Sequence, residues 1–177
     1  MSSIHGPEFI DLEIAPATAD LSSLERAMAE QRARGITFTT LAEEQPRDAG
    51  WLARFCELEN ETRRGIDSPR TVEQMAERIE FLKIEPESLF LAVDGDRYVG
   101  YTCLNTAESG GPRLLQGWTG VRPEYRRRGI ATALKLLGIA YAREHGYGVI
   151  VTSPRVANTA SVQMSLKVGF QPAEPLT

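Results

Sequence analysis

Residues 121–131 read VRPEYRRRGIA, and RRRGIATALK from Arg126 onward joins an arginine-rich turn to the strongest helical pattern in the chain. Upstream, RLLQGWTGV (113–121) reads as a strand; downstream, Ile130, Ala133, Leu134, Leu137 and Tyr141 share one helical face. A helix N-terminus leaves N–H groups unpaired and carries partial positive charge, so it attracts phosphate. Gly129 lets the backbone approach a ligand closely and adopt positive φ, and Ala131 keeps that approach clear. Arg126, Arg127 and Arg128 add positive charge in a chain whose net charge is -4. The segment calls for an anion, and its geometry suits a diphosphate. The plainer reading is a solvated basic turn before a helix. No GxxxxGK[ST] is present, which excludes a Walker loop.

The rest of the pattern is read outward from that turn. YGVIVTS (147–153) is an apolar strand of the kind buried inside a sheet, and Asn158 can cap a final helix ending near Gly169-Phe170. Before the turn, SLFLAV (88–93) and RYVGYTCLN (97–105) flank Asp94-Gly95 as a hairpin, and Gly110-Gly111-Pro112 leads into the third strand. Residues 49–64 form a helix with Trp51, Leu52, Phe55 and Leu58 inward, and residues 71–82 a second helix with Thr71 and Gln74 as its capping box. ITFTTLA (36–42) reads as a strand. An earlier helix is expected to begin on a Ser22/Glu25 capping box and to stop at Gly35, with Leu21, Leu24 and Met28 on one face. This order is an α+β pattern with a mixed sheet, which disfavours the doubly wound nucleotide folds.

The 177 residues make one ordinary domain, and 42% hydrophobic content supports a buried core. An acidic net charge argues against nucleic-acid and membrane partners. The chain has no long apolar run and no basic-then-apolar leader, so a cytoplasmic location is expected. Cys56 and Cys103 lack metal-ligand or CxxC spacing and read as buried free thiols; no metal site is expected.

WTGVRPEYRRRGIATAL resembles the central acetyl-CoA motif of the GNAT superfamily of N-acetyltransferases, and NTASVQMSLKVGF (158–170) resembles the motif that follows it. The resemblance covers about residues 35–170 and implies the GNAT fold, a mostly antiparallel sheet splayed beside its main helix. It implies that Thr119 and Val121 offer main-chain groups to the pantetheine arm of acetyl-CoA. It implies that Arg126, Arg127, Arg128, Gly129, Ile130, Ala131 and Thr132 bind its pyrophosphate, chiefly through backbone N–H. Asn158 would lie beside the pantetheine arm, or serve as a plain helix cap, or both.

Two departures bear on chemistry. Many family members carry a tyrosine seven residues after that asparagine as general acid to the departing thiolate; here the position is Ser165. A serine is a much poorer acid, but a thiolate leaves readily, so Ser165 donating to the sulfur, with water as proton source, suffices. The strand before Val121 carries no carboxylate, so the usual place for a base is empty. Glu57, Glu59, Glu61 and Asp67 are the alternatives. Glu59, near the inward stripe of its helix, ranks first, and its acidic neighbours would draw a cationic amine.

The ends differ from the family pattern. Only QPAEPLT follows Gly-Phe, and its two prolines suit a further strand poorly. Residues 1–34 form an N-terminal extension to a domain of residues 35–177, and this extension resembles the linker of tandem GNAT proteins before their second half. FIDLEI (9–14) is expected to supply the missing strand, within its own subunit or, in a homodimer, within a partner's. The implied activity is transfer of acetyl from acetyl-CoA to a primary amine on a small molecule or peptide, with the Val121 N–H meeting the oxyanion. A non-catalytic CoA-binding domain is the alternative.

Overall fold

The computed structural model describes residues 8–63, 68–106 and 111–173; His5, Asp67 and Gly110 lie outside the described residues. Chain order begins β1 (Leu12–Ile14), α1 (Leu24–Ala33), β2 (Ile36–Thr40), a short α2 (Leu41–Glu44), α3 (Trp51–Thr62) and α4 (Val72–Phe81). The meander β3 (Leu89–Asp94), β4 (Arg97–Thr106) and β5 (Arg113–Val121) follows, and then α5 (Ile130–Glu144), β6 (Val149–Thr152), α6 (Thr159–Lys167) and β7 (Gln171–Pro172). The strands form one sheet in the order β2-β3-β4-β5-β6-β1-β7. All neighbours are antiparallel except β5 and β6. This is the mixed α+β sheet expected of the GNAT fold.

FIDLEI does enter the sheet, within its own chain. Leu12, Glu13 and Ile14 pair with Thr152, Val151 and Ile150 of β6, and Leu12 and Glu13 pair on their other side with β7. A strand does form after Gly169-Phe170, despite Pro172, because it has two residues and lies at the outer edge. An edge strand tolerates the missing N–H of Pro172.

Local chemistry explains where elements start and stop. Thr71 and Gln74 make both reciprocal bonds of a capping box at the start of α4. The Ser22/Glu25 box does not form. The Ser22 N–H instead donates to Asp20 Oδ1 at 2.9 Å, and α1 starts one residue later on Ser23 without a side-chain cap. A short-range aspartate turn has outcompeted the cap. β2 ends at Thr40, not at residue 42, because Thr40 and Glu43 form a capping box that opens α2. The hairpin turns on Gly95 and Asp96, one residue beyond the expected pair, with Asp94 and Arg97 still in register.

One face of the sheet carries α3 and α4, where Phe55, Leu58 and Met75 pack on Leu89, Leu91 and Tyr101. The other face carries α5, with Ile130 and Leu134 over Val99 and Val121, and Leu136 and Ile139 over Leu104, Leu114 and Ile150. α1 covers the outer side of α5 through Leu24 and Ala27, so α5 is buried on more than one stripe. Cys56 and Cys103 are free and buried, and burial pushes the Cys103 thiol up to about 11.

Lys135 of α5 is 2% exposed, with Nζ 5.2 Å from the centre of the Phe170 ring. Burial lowers its ammonium from 10.5 to about 8. A folded-state value below the unfolded one means that the cost of the buried charge is felt in full below about pH 8. Stability then rises with pH up to about 10.5, because the unfolded chain there holds a proton that the folded chain has released. Lys135→Met should therefore stabilise the protein near neutral pH by ~1–3 kcal/mol, an advantage that shrinks towards about pH 10. Urea unfolding of both proteins at the two pH values checks this; a pH-independent difference would count against the ammonium as its source.

Candidate functional site

The turn before α5 has the conformation its sequence calls for. Gly129 is the N-cap residue at φ +88°, and Arg127 also takes a positive φ of 60°. The first bond of the helical ladder is from Ala133 N–H to the Gly129 carbonyl at 3.0 Å. The N–H groups of Ile130, Ala131 and Thr132 therefore point out of the helix end unanswered by the ladder. Gly129 has no side chain to shield them; a Cβ there would meet Gln31 Nε2 at 3.2 Å.

Side chains from distant parts of the chain fix this turn. The Arg128 carbonyl accepts from Gln31 Nε2 and from an Arg34 guanidinium N–H, each at 2.7 Å. Both donors come from α1 and its end, and Gln31 is 1% exposed. Arg126 Nε donates to the Val121 carbonyl at 3.0 Å, and the Arg128 guanidinium lies over the Tyr125 ring. Turning the Arg128 carbonyl back towards α1 leaves the opposite side of the turn to its N–H groups. Nothing in the spacing of Gln31 pointed to this role.

β5 and β6 then part. They pair only over Arg113–Leu115 and Val149–Val151, yet β5 runs on to Val121 while β6 ends at Thr152. Arg122 N–H donates to the Val99 carbonyl, and Val121 stands opposite Gly100 and Thr119 opposite Thr102. Antiparallel alternation therefore turns the backbone groups of Val121 and Thr119 away from β4, towards the gap. The Thr119 hydroxyl is tied to that of Thr102 at 2.8 Å. Gln116 Nε2 donates to Thr102 Oγ1 and to the Cys103 carbonyl, which leaves Gln116 Oε1 buried and without a partner.

α6 carries the other two expected residues. Asn158 caps it, its Oδ1 accepting from the Ser161 N–H at 3.3 Å. Ser165 is 0% exposed, and among the described residues its Oγ has no hydrogen-bond partner.

The carboxylates of α3 are committed to arginines. Glu59 is 2% exposed, as its place on the inward stripe implied, and is paired with Arg70 at 2.5 Å and Arg63 at 3.5 Å. Glu57 and Glu61 pair with Arg122, a 1% exposed side chain, and Glu61 also faces Arg97. The acidic neighbours expected to draw a cationic amine are each paired with arginine, from the end of the same helix (Arg63), the loop before α4 (Arg70), β4 (Arg97) and the turn after β5 (Arg122).

Beside the turn a groove of about 1190 Å³ opens between α1, β1, α5 and the end of α6. Gln31, Gly129, Thr132, Arg26 and Lys167 are among its lining residues, whereas Thr119, Val121, Asn158 and Ser165 are not. It meets the expected site at the phosphate end alone. Among the described residues no helix is long and apolar enough to cross a membrane.

A model of the Acetyltransferase (GNAT) family matches residues 52–170. A mycothiol acetyltransferase of Nocardia farcinica (strain IFM 10152) is 32% identical over 93 residues, which are 50% of this chain and 31% of that protein. The chain thus accounts for less than a third of that relative's length. A GCN5-related N-acetyltransferase of Sphaerobacter thermophilus superposes with a TM-score of 0.62 at 20% identity, covering 93% of this chain and 48% of that one. A tandem GNAT protein from the clavulanic acid biosynthesis pathway gives a TM-score of 0.64 at 18% identity, with 93% and 50% covered. At such identities the two structures speak for the fold.

Gly129→Glu places a carboxylate and a left-handed L-residue at the mouth of the turn. Acetyl-CoA affinity, measured by isothermal titration, should fall about a hundredfold, the scale of one or two lost charge-assisted hydrogen bonds. Gly129→Ala, which brings strain without charge, should lose less. Unchanged affinity in a folded Glu variant would remove the turn from the binding site.

Proposed function

We propose, from the premise that this chain belongs to the Acetyltransferase (GNAT) family, that it moves acetyl from acetyl-CoA to a primary amine by direct attack in a ternary complex. One observation carries the reading: a left-handed glycine opens the 15-residue α5 in the turn that follows a β5 running on to Val121, unpaired with β6 beyond Leu115. Open N–H groups at a helix end favour a diphosphate, and outward backbone groups beside them favour an extended amide-bearing arm.

In this reading the backbone of Arg126, Arg127, Arg128, Gly129, Ile130, Ala131 and Thr132 binds the pyrophosphate. Thr119 and Val121 take the pantetheine arm like an added strand, with Asn158 beside it. The neutral amine attacks the thioester carbon, the Val121 N–H meets the developing oxyanion, and the carbon–sulfur bond breaks. Ser165 Oγ donates to the departing sulfur, and water supplies the proton that makes the free thiol. Its buried, unpartnered hydroxyl supports this role, because such a group lacks the stabilisation that a ligand atom would give it. Glu59, held between Arg63 and Arg70, serves as their counterion rather than as the base. The attacking amine loses its proton to water.

Thiol release from acetyl-CoA with a panel of primary amines tests the activity; tight acetyl-CoA binding with no release for any amine would favour a regulatory domain. Ser165→Ala should lower kcat about threefold to tenfold, the worth of one hydrogen bond, while the thermal midpoint holds or rises. A fall in stability with unchanged kcat would make Ser165 structural.

A further inference from the structure

Trp118 of β5 is 46% exposed, and three guanidiniums surround its ring. Arg78 of α4 lies 4.7 Å from the ring centre, and Arg70 and Arg63 lie at 5.8 and 5.9 Å. These distances fall within reach of cation–π attraction. One carboxylate, Glu59, answers Arg63 and Arg70. Among the described residues Arg78 pairs with no carboxylate, and Arg63 Nε is buried without a hydrogen-bond partner on a side chain 8% exposed. Burial first, and then the neighbouring Arg70, hold Arg78 below its ordinary range, with Glu59 acting the other way. Positive charge is thus concentrated and incompletely answered at one spot of an acidic protein.

The spot lies on the strand whose Val121 end the acetyl-transfer reading makes the reacting centre. Trp118 and Gly120 face α3, since a Cβ on Gly120 would meet the Thr62 side chain at 2.6 Å, whereas Thr119 faces the other way towards Thr102. Trp118 is three residues from Val121, about 10 Å along a strand. It stands on the stretch of β5 that β6 has left.

We infer that Arg63, Arg70 and Arg78 around Trp118 form the acceptor subsite, and that the acceptor is a primary amine bearing a carboxylate or phosphate. The inference rests on the acetyl-transfer reading for the identity of the reacting group. The anion docks against Arg78 and Arg63, the acceptor's body lies on the exposed indole face, and the amine reaches the Val121 end. Guanidinium forks suit both oxyanions, which share planar or tetrahedral oxygen pairs. Glu59 keeps the arginines in place beneath the ligand.

Matched amines separate the two anions: a short peptide with a free C-terminal carboxylate against its amide, and glucosamine 6-phosphate against glucosamine. The charged member of at least one pair should have a kcat/KM about tenfold to a hundredfold higher, the scale of one charge-assisted contact. Which pair responds identifies the anion. Arg78→Gln should erase that preference with acetyl-CoA affinity unchanged, and Arg78→Lys should keep part of it. Equal use of both members in each pair, or a preference that survives Arg78→Gln, overturns the proposal. A second readout is independent of catalysis. In a Trp51→Phe background, Trp118 fluorescence is titrated with inorganic phosphate and with succinate. A saturable change lost in Arg78→Gln supports the subsite even if acetyl-CoA does not bind, in which case the transfer reading fails alone. A flat titration with both anions overturns the subsite even if acetyl-CoA binds.

Discussion

β6 pairs with β5 over three residues and then leaves it, and the backbone of β5 beyond Leu115 must be answered by something else. A strand edge inside a protein cannot remain unpaired without cost. On one side β4 satisfies alternate residues, so what remains is a row of outward groups at Thr119 and Val121. Arg126 takes the Val121 carbonyl. The remaining groups of this row face the gap left by β6, and the first turns of α5 pack on the same stretch through Ile130 and Leu134 against Val121. The site is thus a region where the regular hydrogen-bonding of sheet and helix stops.

Such a region needs support from outside. β1 fills the sheet on the far side of β6, and the apolar side chains of Leu12 and Ile14 join those of Leu136, Ile139 and Ile150 in one cluster. Each such buried side chain contributes roughly 1.5–3 kcal/mol. α1 then lies on α5 and sends Gln31 and Arg34 to the Arg128 carbonyl. The same N-terminal segment that pairs with β6 therefore also fixes the turn before α5. Sheet pairing and turn geometry are coupled through these few residues.

The turn was legible because its conformation depends on neighbours in sequence: glycine for positive φ, an apolar stripe for the helix, a strand pattern before it. The place of β1 could be read from a deficit, a sheet short of a strand and an unassigned FIDLEI. Boundaries that rest on competing local bonds were harder. Ser22 had the spacing of a cap, but Asp20 two residues earlier takes its N–H. Thr40 and Glu43 carried a capping-box signal that the alternating run of β2 masked. Gln31 was invisible as a support of the turn, since its partner lies 97 residues away and its own surroundings read as an ordinary helix.

The α3 carboxylates show most clearly why charge read from one helix misleads. Glu57, Glu59 and Glu61 looked like an acidic face because most of the arginines that pair with them are remote in sequence, Arg63 at the end of the same helix excepted. The fold brings Arg97 from β4, Arg122 from the turn after β5 and Arg70 from the loop before α4, so each carboxylate is spoken for. Once those pairs are made, the excess charge at the open end of β5 is positive. Arg63 and Arg78 complete that excess around Trp118, from elements that approach one another only in the folded chain. The sign of a site's field is a property of the assembled elements, and here assembly reverses the sign that the helix alone suggested.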